Sequence, residues 1–222
     1  MKQGNRMMTS IFSGTSVAAV LAFALACSPL SVFAGIIALD STRMTGNQEF
    51  GGALGMDFDV LAPIRVTRLG AYDSGQNGLV NNIEVGIFDR DTATLVPGLF
   101  GTITNSDPLV GNSRYADIVD LVLGVGSYSI VAQGFSSDDP NGNTGSGGTG
   151  PTINDGGGLI TFVGSARFDR GSSFLYPTTI DGGPANRYDA GTFEYVVPEP
   201  ATLALMGLGF AGLSWTRRKL KA

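Results

Sequence analysis

Apolar side chains recur at every second position through most of this 222-residue chain. Leu54, Met56, Phe58 and Val60 alternate with Gly55, Asp57 and Asp59, and Ile83, Val85 and Ile87 flank Glu84 and Gly86. Tyr128, Ile130 and Ala132 repeat the pattern, as do Phe193, Tyr195 and Val197. A β-strand sends successive side chains to opposite faces, so each run reads as a strand with one face buried. Runs at 64–71, 99–103, 116–123 and 159–166 extend the set. Turn formers separate them: Asp73-Ser74-Gly75, Gln76-Asn77-Gly78, Asp89-Arg90-Asp91-Thr92, Gly124-Val125-Gly126 and Asp181-Gly182-Gly183. No stretch of 35–196 sustains the apolar spacing of a helix face. The pattern predicts an all-β domain of about eight to ten short antiparallel strands, packed as a β-sandwich of the jelly-roll kind.

The same stretch narrows the chemistry open to it. Residues 35–196 contain no histidine, cysteine, lysine or tryptophan. A Ser-His-Asp triad, a thiol nucleophile and a Cys/His zinc site are therefore excluded there. Disulfides are excluded too, so the domain must hold together by burying apolar surface, which 162 residues can do. Eight arginines stand against 18 acidic residues, a net charge of −10, and such a segment has no electrostatic attraction to nucleic acid. The whole chain is only −5 because both flanks are basic.

At the N-terminal flank, Lys2 and Arg6 precede a charge-free run that reaches Leu39. Within it, residues 17–26 read VAAVLAFALA, the length of a signal-peptide core and too short for an ordinary membrane span. Pro29 ends the helical stretch, and Val32 and Ala34 supply the small side chains signal peptidase requires. Residues 1–34 are thus expected to be a signal peptide, forming a helix and cut between Ala34 and Gly35. Lipidation at Cys27 is disfavoured, since the residue three before it is Ala24 and the leucine falls at 25.

The C-terminal flank is more specific. Val197-Pro198-Glu199-Pro200 leads into a run without charge over 200–216, closed by Arg217, Arg218 and Lys219. As a helix, 200–216 would be about 26 Å long, slightly short of a ~30 Å hydrocarbon core. Trp215 and the basic side chains reach the interface and make up the difference. Pro200 suits a first helical turn, and Glu199 favours the positive end of the helix dipole. The basic cluster is expected to stay in the cytoplasm as an anchor, leaving the domain outside.

This tail, residues 197–222, closely resembles the PEP-CTERM sorting signal of Gram-negative bacteria. The resemblance is carried by Val197, Pro198, Glu199 and Pro200, by a Gly/Leu-rich span with Met206, Gly207, Gly209 and Gly212, and by Arg217-Arg218-Lys219. It implies recognition by an exosortase, a membrane-embedded protease-transpeptidase that removes the span, so that the mature protein lacks 203–222. It also implies transient residence in the inner membrane, delivery to the cell envelope or beyond, and association with exopolysaccharide and biofilm. The middle resembles a jelly-roll module that recurs in such proteins. That likeness runs through Met56-Asp57-Phe58, Ile64-Arg65-Val66-Thr67, Leu69-Gly70-Ala71-Tyr72-Asp73, Val85-Gly86-Ile87-Phe88-Asp89 and Arg114-Tyr115, and it brings no catalytic motif.

Residues 134–158 break the alternation with nine glycines in 25 residues, and read as a long flexible loop between two strands. Within them Asp139, Asn141 and Asn143, next to Asp138, have the Asp-x-Asn-x-Asn spacing of hard oxygen donors, and the metal they suit is calcium. Thr144 stands where the glycine of a calcium loop belongs and Gly150 where its closing glutamate belongs, and Asx turns explain the same residues. Glu84, Asp117 and Asp120 are the candidates for a glycosidase carboxylate pair, although no spacing selects two of them. Tyr72, Tyr115, Phe135, Tyr176 and Tyr188 are candidate sugar-stacking platforms or core. The expectation is a non-catalytic, structural or adhesive envelope or matrix protein. A calcium-dependent lectin-like module is the alternative, and a carboxylate glycosidase a second one.

Overall fold

The structure is a computed structural model and describes residues 35–198. The expected signal peptide 1–34, the expected span 200–216, Glu199, Pro200 and the Arg217-Arg218-Lys219 cluster lie outside the described residues. From the N-terminus the strands are β1 (Ile36–Ile37), β2 (Leu39–Asp40), β3 (Ala53–Val60), β4 (Ile64–Tyr72), β5 (Ile83–Asp89), β6 (Thr94–Ile103), β7 (Leu109–Val110) and β8 (Ser113–Leu123). They continue as β9 (Gly126–Gln133), β10 (Gly142–Asn143), β11 (Thr152–Ile153), β12 (Ile160–Asp169), β13 (Thr179–Asp181), β14 (Tyr188–Asp189) and β15 (Gly191–Val196). Among the described residues the helices are two single 3₁₀ turns, Ser74–Gln76 and Thr144–Ser146, and no helix is long and apolar enough to cross a membrane.

The strands form a five-stranded sheet in the order β1-β15-β4-β8-β7 and a six-stranded sheet in the order β13-β12-β3-β9-β5-β6. All pairings are antiparallel. The orders β1-β15-β4-β8 and β3-β9-β5-β6 are the two facing halves of a jelly roll, as the alternation predicts. Strand β12 is an addition outside that plan, laid along the free edge of β3.

Alternation explains which face is buried. Leu54, Met56, Phe58 and Val60 of β3 all enter the core, while Gly55, Asp57 and Asp59 point outward. Ile83, Val85 and Ile87 of β5 and Phe193 and Tyr195 of β15 complete the interior. The rings of Phe58 and Phe193, one from each sheet, lie 5.0 Å apart and join the two layers. Burying each such side chain contributes about 1.5–3 kcal/mol before the entropy of ordering is counted.

Two features depart from simple alternation. The register of β4 against β8 jumps between Arg68↔Asp117 and Val66↔Leu121, so residues 118–120 bulge from the edge and Val119 is 90% exposed. The glycine-rich stretch 134–158 is also not a free loop. Its β10 pairs with β14, its β11 pairs with β2, and Asn141 bridges to Gln48. Phe135, Asp139, Asn141 and Asn143 within it are buried. Polar side chains bonded to distant backbone replace the apolar contacts that this segment lacks.

Candidate functional site

The fold brings the two ends of the described chain together. Strand β1 pairs with β15 so that Ile36 lies opposite Tyr195 and Ile37 opposite Glu194. Gly35, the residue after the expected signal-peptidase cut, is packed so closely that a Cβ there would lie 2.1 Å from the Glu194 carboxyl carbon. Glu194 is held in turn by an ion pair with Arg68 and a 3.2 Å bond from the Thr67 hydroxyl. On the other side β15 ends at Val196, after which Val197 is exposed and Pro198 half-buried. Pro198, the first residue of Pro-Glu-Pro, thus follows the last strand after a single residue.

The expected calcium donors are brought close in sequence but are used otherwise. The Asp139 carboxylate accepts backbone N–H bonds from Val80 (3.0 and 3.1 Å) and Asn81 (2.7 Å). Asn141 and Asn143 both donate side-chain N–H to the Gln48 Oε1, at 3.0 and 2.9 Å. The Asn143 Oδ1 accepts from Gly145 N and Arg187 Nε, which is the Asx-turn arrangement. Asp138 is exposed and points to none of them by hydrogen bond. Among the described residues no group of three or more acidic, histidine or cysteine side chains is placed to hold a metal.

The glycosidase candidates are separated. Glu84 sits between the core residues Ile83 and Val85, so its side chain leaves the outer face of the six-stranded sheet. Asp117 and Asp120 are exposed on β8 of the other sheet, with Asp120 3.9 Å from Arg65. The core lies between Glu84 and the aspartates. Four of the aromatic candidates are buried: Tyr72, Phe135 and Tyr188 in the interior, and Tyr115 on the outer face of its sheet beneath Arg68. Tyr115 reaches that position on an outward-facing row because Gly70 has no side chain; a Cβ there would sit 2.6 Å from its ring. Tyr176 is half-exposed beneath the Arg167 guanidinium, 5.2 Å from the ring centre.

Sequence reasoning did not anticipate three buried aspartates that face arginines, one of them Asp73, 2.7 Å from Arg114 Nε. Asp57, on the outer face of β3, is fully buried beneath Arg167, whose Nε is 2.7 Å away, and Arg90 at 3.7 Å. Asp189, on β14, is buried 3.5 Å from Arg43 Nε. Burial raises its carboxyl above the usual range, while Ser41 and Arg43 act in the other direction. The cleft beside it, lined by Ser41, Tyr72, Ser113 and Tyr188, has room for one water-sized sphere, about 10 Å³, and is far too small for a sugar ring. All three aspartates face arginines from distant parts of the chain, so only the alternation and the scarcity of cations hinted at them.

Comparison with known proteins assigns one part of the chain. Residues 196–219 match the PEP-CTERM protein-sorting motif, beginning on the last residue of β15. The motif supports the reading of the chain as an exosortase substrate and implies export to the cell envelope or beyond it. Neither a search of curated proteins nor one of solved structures returns a match.

Proposed function

We propose that this chain is a non-catalytic matrix or envelope protein. A signal peptide directs its export, an exosortase releases it from the inner membrane, and the sandwich then acts in a structural or adhesive role beside exopolysaccharide. The observation that carries the reading is the sorting motif at 196–219, which begins on the last strand of a fully formed jelly roll. The sandwich is the cargo. Further support comes from its carboxylates: Asp57, Asp73 and Asp189 face arginines, and Glu84 lies across the core from Asp117 and Asp120.

Fractionation of the native host tests the reading. The protein is expected in the extracellular or outer fraction with the polysaccharide, and that polysaccharide gains no reducing ends on incubation with the purified protein. Retention in the cytoplasm contradicts the export reading, and release of reducing ends contradicts the non-catalytic one.

A further inference from the structure

One end of the sandwich gathers both chain exits and a set of uncovered apolar side chains. Gly35 and Val196 leave from this end, because Ile36 pairs with Tyr195. The β3–β4 and β8–β9 turns lie there as well: Val60 pairs with Gly126, Ile64 with Leu123, and Arg65 with both Val122 and Val196. Leu61 and Val125 occupy the two turns, with 55% and 67% of their surfaces exposed. Val122, 57% exposed, and Val197, 41% exposed, stand beside them. These four side chains stand around the exit of β15, with Arg65 and Asp120 beside Val122 and the Asp89–Asp91 turn bonded to Ser127 at the same end.

We propose that this end rests on the lipid surface of the membrane while the sorting signal is still attached. The proposal depends on the reading of 200–216 as a membrane span. Geometry supplies the argument. Four residue steps separate Val196 from Pro200, and a chain spans at most about 3.5 Å per residue, so the end of β15 stays within ~14 Å of where the span begins. Strands of eight to eleven residues make the sandwich roughly 30 Å long. The tether keeps the Leu61–Val125 end within reach of the bilayer, and the end carrying Ser106, in the β6–β7 turn, lies a sandwich length farther along the strands. Leu and Val at a headgroup boundary gain by leaving water, as the apolar faces of interfacial segments do. An exosortase would then meet its Pro-Glu-Pro site at the lipid surface, with the folded domain standing directly above.

The test uses the full chain with Cys27→Ser, reconstituted into phosphatidylcholine–phosphatidylglycerol vesicles containing brominated lipid. Single cysteines introduced as Leu61→Cys, Val125→Cys or Ser106→Cys carry a fluorescent label. Trp215, the sole tryptophan, reports whether the tail is in the bilayer. Expected are loss of fluorescence from Trp215 and from the labels at 61 and 125, and none from the label at 106. Quenched Trp215 with unquenched labels at 61 and 125 overturns the proposal and leaves that end free for a protein contact. Unquenched Trp215 overturns the membrane-span reading itself, and the proposal falls with it.

Discussion

Gly35 lies against Glu194, so closely that only the missing side chain makes room for the carboxylate. Cleavage after Ala34 would place a new α-ammonium beside a carboxylate already held by Arg68 and Thr67. A protein beginning at Gly35 is therefore expected to melt higher than the same protein acetylated at Gly35. The difference corresponds to about 0.5–1 kcal/mol, as for a partly screened ion pair. Differential scanning calorimetry of the two forms reads it, and equal melting temperatures would remove the pair from the account.

Asp57 is the most consequential polar side chain of the sandwich. Two arginines from separate strands and turns converge on it, and it has no access to solvent. Asp57→Ala leaves Arg167 without its buried counter-charge, while Arg90 keeps Asp59, and the loss costs about 3–5 kcal/mol. For a domain of this size that is a fall in Tm of roughly 10 °C. An unchanged Tm would mean that the arginines are satisfied from solvent.

Alternation made β3, β5, β9 and β15 readable, because each has one face in the interior and one facing out. It also led to the jelly roll, and the Pro-Glu-Pro tail to the sorting motif. Residues 134–158 were not readable in this way. Asn141, Asn143 and Asp139 are buried there through bonds to Gln48, Arg187 and the Val80–Asn81 backbone, partners that local composition does not reveal. Burial of Tyr115 was hidden for a related reason, since it depends on an absent side chain at Gly70 one strand away.

The Asp139 carboxylate is engaged by three backbone N–H contacts, and this separates two roles. If it clamps the turn at Val80 and Asn81, Asp139→Ala destabilises the domain by about 1–3 kcal/mol through the N–H groups it leaves unpaired. Millimolar calcium or EDTA then leaves the wild-type Tm where it is. A calcium-dependent rise in Tm, abolished by Asp139→Ala, would assign the carboxylate to a metal instead.

Tyrosine ionisation sets an alkaline limit. Burial, the largest cause in each case, raises all six tyrosines, and Tyr72 and Tyr195 are pushed up to about 12. Their folded-state values exceed the unfolded value of about 10, so their contribution is complete below that pH and is lost as pH rises toward 12. Tyrosinate absorbance is expected to change little at pH 10 and then to climb together with loss of the β circular dichroism signal. Six tyrosines titrating smoothly near 10 with the sheets intact would contradict the packing described.

If the sandwich is cargo cut free of both routing segments, the intact mass of the protein recovered from its native host shows it. The expected species begins at Gly35 and lacks residues 203–222, and with them the only tryptophan. A mass that includes Trp215 and the Arg217-Arg218-Lys219 end would show a retained anchor and contradict it.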